Sequence, residues 1–166
     1  MGEGIQMDEA VESDIETAMA RLNKIESNPN GEKAPEVRAE MQRIMQSSFG
    51  IFRTGEDMER GKKELAELRE RAENIGLTDD SKVFNTARIE ALEVQNLFET
   101  AEATAQVASV REESRGAHSR EDFAERDDEN WLTHSMYWKE GNKIGRRDVN
   151  MKPKTVDTFI PKARTY

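Results

Sequence analysis

The chain has 166 residues, of which 35% are hydrophobic and 36% charged, with a formal net charge of −9 and no cysteine. That length fits one domain, or one domain with an extension, and so little apolar material allows only a thin core, as in a helical bundle with charged outer faces. The lack of cysteine excludes disulfides, cysteine metal sites and thiol catalysis, and no apolar run approaches the roughly 20 residues of a membrane span.

Residues 1–12 read as a linker or an added start. Met1 to Met7 carries Glu3 and no basic residue, unlike a signal peptide, so a cytoplasmic protein is expected. Ser13 and Glu16 have the spacing of a capping box and open the first predicted helix. Its stripe of Ile15, Ala18, Met19, Leu22 and Ile25 follows the three-four spacing of a buried face, and Asn28-Pro29-Asn30-Gly31 ends it. A second helix starts with Pro35 in its first position and turns Val37, Met41, Ile44 and Met45 inward. Phe49, Ile51 and Phe52 are expected to bury the corner around Gly50. Thr54-Gly55 caps a third helix with Met58, Leu65, Leu68, Ala72 and Ile75 on one side and Gly76 as terminator. Gly61 falls on the same stripe, where a glycine permits close helix packing.

The fourth helical segment, 85–112, is the longest, at about 40 Å for 1.5 Å per residue. Ala87, Ile89, Ala91, Leu92, Val94, Leu97, Phe98, Ala101, Ala105 and Ala108 cover more than one face, which predicts a central helix with partners on several sides. Beyond it lie six of the ten aromatic residues, Phe123, Trp131, Tyr137, Trp138, Phe159 and Tyr166, without regular apolar spacing. Glu140-Gly141-Asn142 between Met136-Tyr137-Trp138 and Lys143-Ile144 reads as a small hairpin, and Pro153 and Pro161 keep the last stretch extended. The expected fold is therefore all-α: three to four helices around one long central helix over 13–112. A charged loop follows over 113–131, and an irregular basic tail with a small β-hairpin over 132–166.

Charge divides the chain in the same way. Residues 1–112 hold 14 basic and 24 acidic groups, a balance of −10, whereas 8 basic and 3 acidic groups from Lys139 onward give +5. The acidic body would repel nucleic acid phosphates, so no nucleic acid partner is expected. The basic tail suits an acidic protein surface, or is simply a solvated end.

Side chains for chemistry are few. His118 and His134 are the only histidines, and neither has the spacing of a di-iron bundle or a zinc protease helix. No metal site is expected. Gly2-Glu3-Gly4 begins like a dinucleotide fingerprint, but Met7 stands where its third glycine belongs and no strand precedes it. The stretch from Arg111 to Trp131 is different, with clusters of opposite charge around the single Gly116 directly after the long helix. Guanidinium groups bind carboxylates through paired hydrogen bonds, so ion pairs can fix such a loop without an apolar core. A surface loop of offsetting charges is the plainer reading of the same residues.

The run Arg115-Gly116-Ala117-His118-Ser119-Arg120, with Asp122-Phe123 and Arg126-Asp127-Asp128-Glu129-Asn130-Trp131, resembles the carboxy-terminal helical domain of the succinate dehydrogenase flavoprotein subunit, in the succinate dehydrogenase/fumarate reductase flavoprotein family. Met45-Gln46, Phe52-Arg53, Gly55, Phe84-Asn85-Thr86 and Glu99-Thr100-Ala101 upstream are similar to that family. So are Arg147, Val149-Asn150-Met151, Pro161-Lys162 and Arg164-Thr165-Tyr166 downstream. The family usually carries proline where this chain has Ala124. Proline limits the unfolded chain, an effect of roughly 0.4–1 kcal/mol, so the loop is expected to be softer at that point.

The resemblance implies a parent that oxidises succinate to fumarate and passes electrons through covalently bound FAD to an iron–sulfur subunit. In that family the flavin, the substrate-binding histidine and arginines and the proton-transferring arginine belong to an upstream domain, and none maps onto this chain. The fragment is therefore expected to hold no cofactor and to be inactive alone, with no catalytic, cofactor-binding or metal residue. Arg115, Gly116, His118, Arg120, Asp122, Arg126, Asp127, Asp128 and Trp131 are expected to form a structural or interface motif. The implied partners are the flavin-binding domain, the iron–sulfur subunit and membrane anchor subunits, on the cytoplasmic face of the bacterial inner membrane. A free-standing helical adaptor with no enzymatic parent is the rival reading.

Overall fold

The computed structural model describes residue 9 and residues 11–162; the readings on Met1 to Met7 and on Arg164-Thr165-Tyr166 lie outside the described residues. The elements in order are α1 (Glu12–Glu26), α2 (Ala34–Phe49), β1 (Phe52–Arg53), α3 (Gly55–Ala72), α4 (Thr86–Ser109), β2 (Ser119–Arg120), β3 (Thr133–Trp138) and β4 (Lys143–Asp148). This is the expected helical bundle with a small antiparallel hairpin, followed by irregular backbone from Val149 to Lys162.

The core lies between α2, α3 and α4. Val37, Met41, Ile44 and Phe49 of α2 meet Met58, Leu65, Leu68 and Ala72 of α3 and Ala91, Val94, Phe98, Ala101 and Ala105 of α4. At Gly61 α2 and α3 approach closely: a Cβ there would lie 2.4 Å from the Ser48 Cβ and 2.7 Å from the Phe49 ring. Thr54 caps α3, its hydroxyl accepting from the Asp57 N–H at 3.1 Å, and Asn85 caps α4 in the same way through the Arg88 N–H at 2.8 Å.

Several local expectations are corrected. Helix α1 begins two residues earlier than a Ser13 cap implies, after Val11, so Ser13 is already inside the helix and forms no cap with Glu16. Its carbonyl instead accepts from the Thr17 hydroxyl at 2.7 Å. Of the α1 stripe only Ile25 is buried, while Ile15 and Met19 are 46% and 50% exposed. The reason is that α1 is held by its carboxy-terminal half, through Arg21 on Gln95 and Asn96, Lys24 on Glu73, and Glu26 on Lys82 and Arg88. Pro35 stands one residue inside the start of α2. Ile51 and Phe52 do not bury the corner; they are 65% and 73% exposed, because the backbone after Gly50 becomes a strand. That strand, β1, runs parallel to β2 with Phe52 opposite Ser119 and Arg53 opposite Arg120.

Helix α3 ends at Ala72, four residues before Gly76. Gly76 is required by close approach instead: a Cβ would lie 1.7 Å from the Asn28 carbonyl oxygen, and its N–H donates to the Glu32 carbonyl at 3.1 Å. Helix α4 is about 36 Å long and is central, touching α1, α2, α3 and β3. Its buried positions nevertheless form one three-four stripe from Ala91 to Ala108, and Ile89 and Leu97 remain on the surface. The hairpin is longer than Met136 to Ile144, pairing Thr133 with Asp148 through Trp138 with Lys143. Its turn uses left-handed backbone at Gly141 and Asn142, φ 75° and 50°.

Candidate functional site

The segment after α4 folds around the Glu113 carboxylate, which is fully buried. Arg111 and Arg115 flank it two residues on either side, and the chain bends at Glu113 itself. The Arg111 and Arg115 Nε atoms donate to Glu113 Oε1 at 2.9 and 2.8 Å. Arg115 Nη2 and the Asp127 N–H both donate to Oε2 at 2.9 Å. Burial alone would raise the Glu113 carboxyl, but the bonds from Arg115, the Asp127 N–H and Arg111 outweigh it and hold the group below the usual carboxylate range.

Each guanidinium then reaches a further element. Arg111 Nη1 donates to the Thr133 carbonyl at 3.1 Å and the Ser135 hydroxyl at 3.2 Å, Nη2 reaches the Trp131 carbonyl, and the group lies over the Trp131 ring. Arg146 of β4 also stacks on Trp131, 3.7 Å from the ring centroid, and donates to the Asn130 carbonyl. The hairpin is thereby tied to the motif from both strands. Arg115 Nη2 bonds Asp128 at 2.6 Å, and Arg126 takes the other Asp128 oxygen at 2.7 Å. Asp127 accepts from the N–H groups of Glu129 and Asn130 and so closes the turn before Trp131.

Arg120, only 3% exposed, is the second centre. Its Nε and Nη2 donate to the two Asp122 oxygens at 2.7 Å each, and Nη1 donates to the carbonyls of Ser109 and Arg111 at the end of α4. The second Asp122 oxygen also accepts from the Gly55 N–H at 2.8 Å, at the positive end of α3. The Arg120 guanidinium beside it, with the Gly55 bond, lowers the Asp122 carboxyl to about 2 against the opposing effect of burial. One Arg–Asp pair therefore joins the end of α4 to the start of α3.

Gly116 has φ 60° and lets the chain reverse so that Arg115 and His118 exchange backbone hydrogen bonds at 2.8 and 3.0 Å. The turn aims the His118 ring inward. Arg53 Nη1 approaches its Nδ1 at 2.7 Å, and Nε2 lies 3.1 Å from the Arg111 carbonyl. Arginine has no acceptor, so Nδ1 carries the lone pair and Nε2 the proton. His118 is neutral here. Burial lowers its pKa, the Arg111 carbonyl opposes this, and the charges of Arg53, Arg111 and Arg120 lower it further. The folded chain thus binds this proton less readily than the unfolded chain, whose histidine titrates near about 6.5. Stability from this contact is present above that value and lost as pH falls below it. Urea unfolding at pH 7.5 and 5.5 is expected to show the loss, and His118→Gln to flatten it. A variant with the wild-type slope would remove His118 from the account.

The structure brings all nine motif positions together, from Arg115 to Trp131. The nine motif positions expected from the sequence include neither Glu113, Arg111 nor Arg53. The alternation Arg111-x-Glu113-x-Arg115 is the signal that marks the first two. Arg53 is marked only by the similarity of Phe52-Arg53 to the family. Among the described residues no group of three or more histidine, aspartate or glutamate side chains could hold a metal. A cavity of about 660 Å³ lies elsewhere, lined by Glu26, Asp79, Asp80 and Arg88 among others.

Residues 38–166 match the family model described as the fumarate reductase flavoprotein carboxy-terminal region. The chain belongs to this family. It is 50% identical over 151 residues to the succinate dehydrogenase flavoprotein subunit of Coxiella burnetii, covering 91% of this chain and 26% of that protein. It is 39% identical to the mitochondrial succinate dehydrogenase [ubiquinone] flavoprotein subunit of Oryza sativa subsp. japonica, covering 91% of this chain and 25% of the relative. A solved structure of E. coli quinol fumarate reductase superposes with a TM-score of 0.76 at 34% identity, over 92% of this chain and 27% of the other. The chain therefore spans about a quarter of the length of the curated relatives it matches, and corresponds to the carboxy-terminal domain of the family.

Proposed function

We propose that this chain is the structural carboxy-terminal domain of a succinate dehydrogenase flavoprotein subunit, and that its arginine-rich motif joins bundle and hairpin into one body. The observation that carries the reading is that the motif's main guanidiniums are engaged within the chain. Arg111, Arg115 and Arg120 direct their donors at Glu113, Asp122, Asp128 and backbone carbonyls of this chain. Such groups are spent on structure and do not face a reacting molecule.

In this reading the whole polypeptide would oxidise succinate to fumarate, with FAD held outside this chain supplying the redox chemistry and an iron–sulfur subunit as the electron-accepting partner. The residues of this chain do not fit FAD. The sequence has no glycine-rich phosphate turn, and the guanidiniums of Arg111, Arg115 and Arg120 already hold carboxylates. The covalent flavin, the iron–sulfur subunit and the membrane anchors therefore belong to other parts of the assembly. No helix among the described residues is long and apolar enough to cross a membrane. Attachment to the cytoplasmic face of the inner membrane runs, on this reading, through the anchor subunits.

The test is a graft. The chain alone is expected to be colourless and to show no succinate-dependent dye reduction. Placed in the Coxiella burnetii subunit in exchange for the matching quarter, it is expected to yield a flavin-loaded, active protein. Stoichiometric flavin and turnover from the chain alone, or a graft that assembles no flavoprotein, would defeat the reading.

A further inference from the structure

Phe84 is 97% exposed and has a left-handed backbone, φ 53°. Val83 beside it is 71% exposed. A bulky residue with positive φ is an outlier that persists only where its surroundings impose it. The surroundings do impose it. Asn85, 7% exposed, donates Nδ2 to the carbonyls of Asp79 and Ser81 at 2.9 and 3.0 Å while its Oδ1 caps α4. The loop is pinned from inside, and its apolar tip is left in water.

The sequence around that tip has the pattern of a hydrophobic staple. With Asn85 as cap, Phe84 precedes it and Ile89 is the fourth residue of the helix, positions where an apolar pair commonly closes over the first turn. Here the staple is open, with Ile89 54% exposed. Backbone strain and exposed apolar surface therefore coincide on one residue, whose ring none of the described residues covers.

We propose that Val83 and Phe84 form a plug that seats in an apolar socket on the flavin-binding part of the same polypeptide. This rests on the reading that the chain is the carboxy-terminal domain of a longer subunit. About three quarters of the relatives' length lies outside the match, which supplies the covering surface. The size of the plug favours that occupant over a second copy. A stable dimer needs roughly 800 Å² per partner, whereas one aromatic side chain buries roughly 150–250 Å². A partner on the same polypeptide brings its own further contacts and loses little freedom on docking.

Phe84→Ala and Phe84→Trp in both the chain alone and the graft into the Coxiella burnetii subunit test this. Removing the ring is expected to leave the melting temperature of the chain alone within about 1 °C, and to lower that of the graft by about 5 °C. Tryptophan is expected to keep the graft near wild type. A fall in both settings would show the staple closed on Ile89 and overturn the proposal. An unchanged graft would overturn the socket while leaving the parent reading intact. A wild-type graft without flavin would defeat the parent reading and the plug together. A dimer of the chain that Phe84→Ala dissolves would assign the plug to a second copy instead, and also overturn the proposal.

Discussion

Replacing Glu113 with alanine is expected to destabilise the chain by about 3–5 kcal/mol, the range for removing one partner from a buried ion cluster. For a chain of this size that corresponds to a fall in melting temperature of roughly 10 °C. The carboxylate is fully buried and takes hydrogen bonds from Arg111, Arg115 and the Asp127 backbone. Alanine leaves the two guanidiniums and the Asp127 N–H without the carboxylate they share. The like charges of the two guanidiniums then repel.

The loss should come mainly from the stranded arginines, because a complete buried ion cluster is often no more stable than an apolar replacement. The double change Glu113→Met with Arg115→Met is therefore expected to be less harmful than Glu113→Ala alone. Urea unfolding of the three proteins measures both effects. A Glu113→Ala loss below about 1 kcal/mol would place the cluster among ordinary solvated surface pairs.

The parts legible in the sequence are those in which local chemistry and tertiary contact agree. The stripes Val37-Met41-Ile44 and Met58-Leu65-Leu68-Ala72 were readable as inner faces because they meet each other, and Gly61 marked a close approach of their helices. Ile15 and Met19 have the same periodicity but remain exposed. Periodicity identifies a face and says nothing of what covers it. Ile51 and Phe52 looked like a buried corner because a short apolar run does not reveal a strand partner 67 residues away, as Phe52 and Ser119 are. The motif's charges could be read as pairs, yet the one carboxylate that becomes fully buried could not be told from its acidic neighbours. Which of them goes inside is decided by where the Arg111 and Arg115 guanidiniums and the Asp127 N–H converge.

Arg120→Ala is expected to cost about 3 kcal/mol, at the lower end of the buried-pair range, because Asp122 is partly exposed and regains water when its partner is lost. The guanidinium itself is 3% exposed, bonds both Asp122 oxygens and two carbonyls at the end of α4, and stacks over Phe123 at 4.9 Å. Lysine keeps the charge but has no planar fork, so it cannot serve Asp122 and the α4 carbonyls at once. Arg120→Lys is expected to recover only a minor part of the loss. A second readout separates this pair from general packing. Asp122 is held at about 2, chiefly by Arg120 and also by the Gly55 N–H, whereas an unfolded aspartate titrates near about 3.9. Its folded pKa is depressed, so its contribution is present above the unfolded value and is lost as pH falls from about 4 towards about 2. In Arg120→Ala the Asp122 carboxyl should move back towards the ordinary range, and most of that acid dependence should disappear. Carboxyl NMR titration reads the first and urea unfolding between pH 4 and 2 the second. An Asp122 titration unchanged by the substitution would mean that the Gly55 N–H, at the start of α3, holds the carboxylate without Arg120, and that α3 and α4 are joined by packing alone.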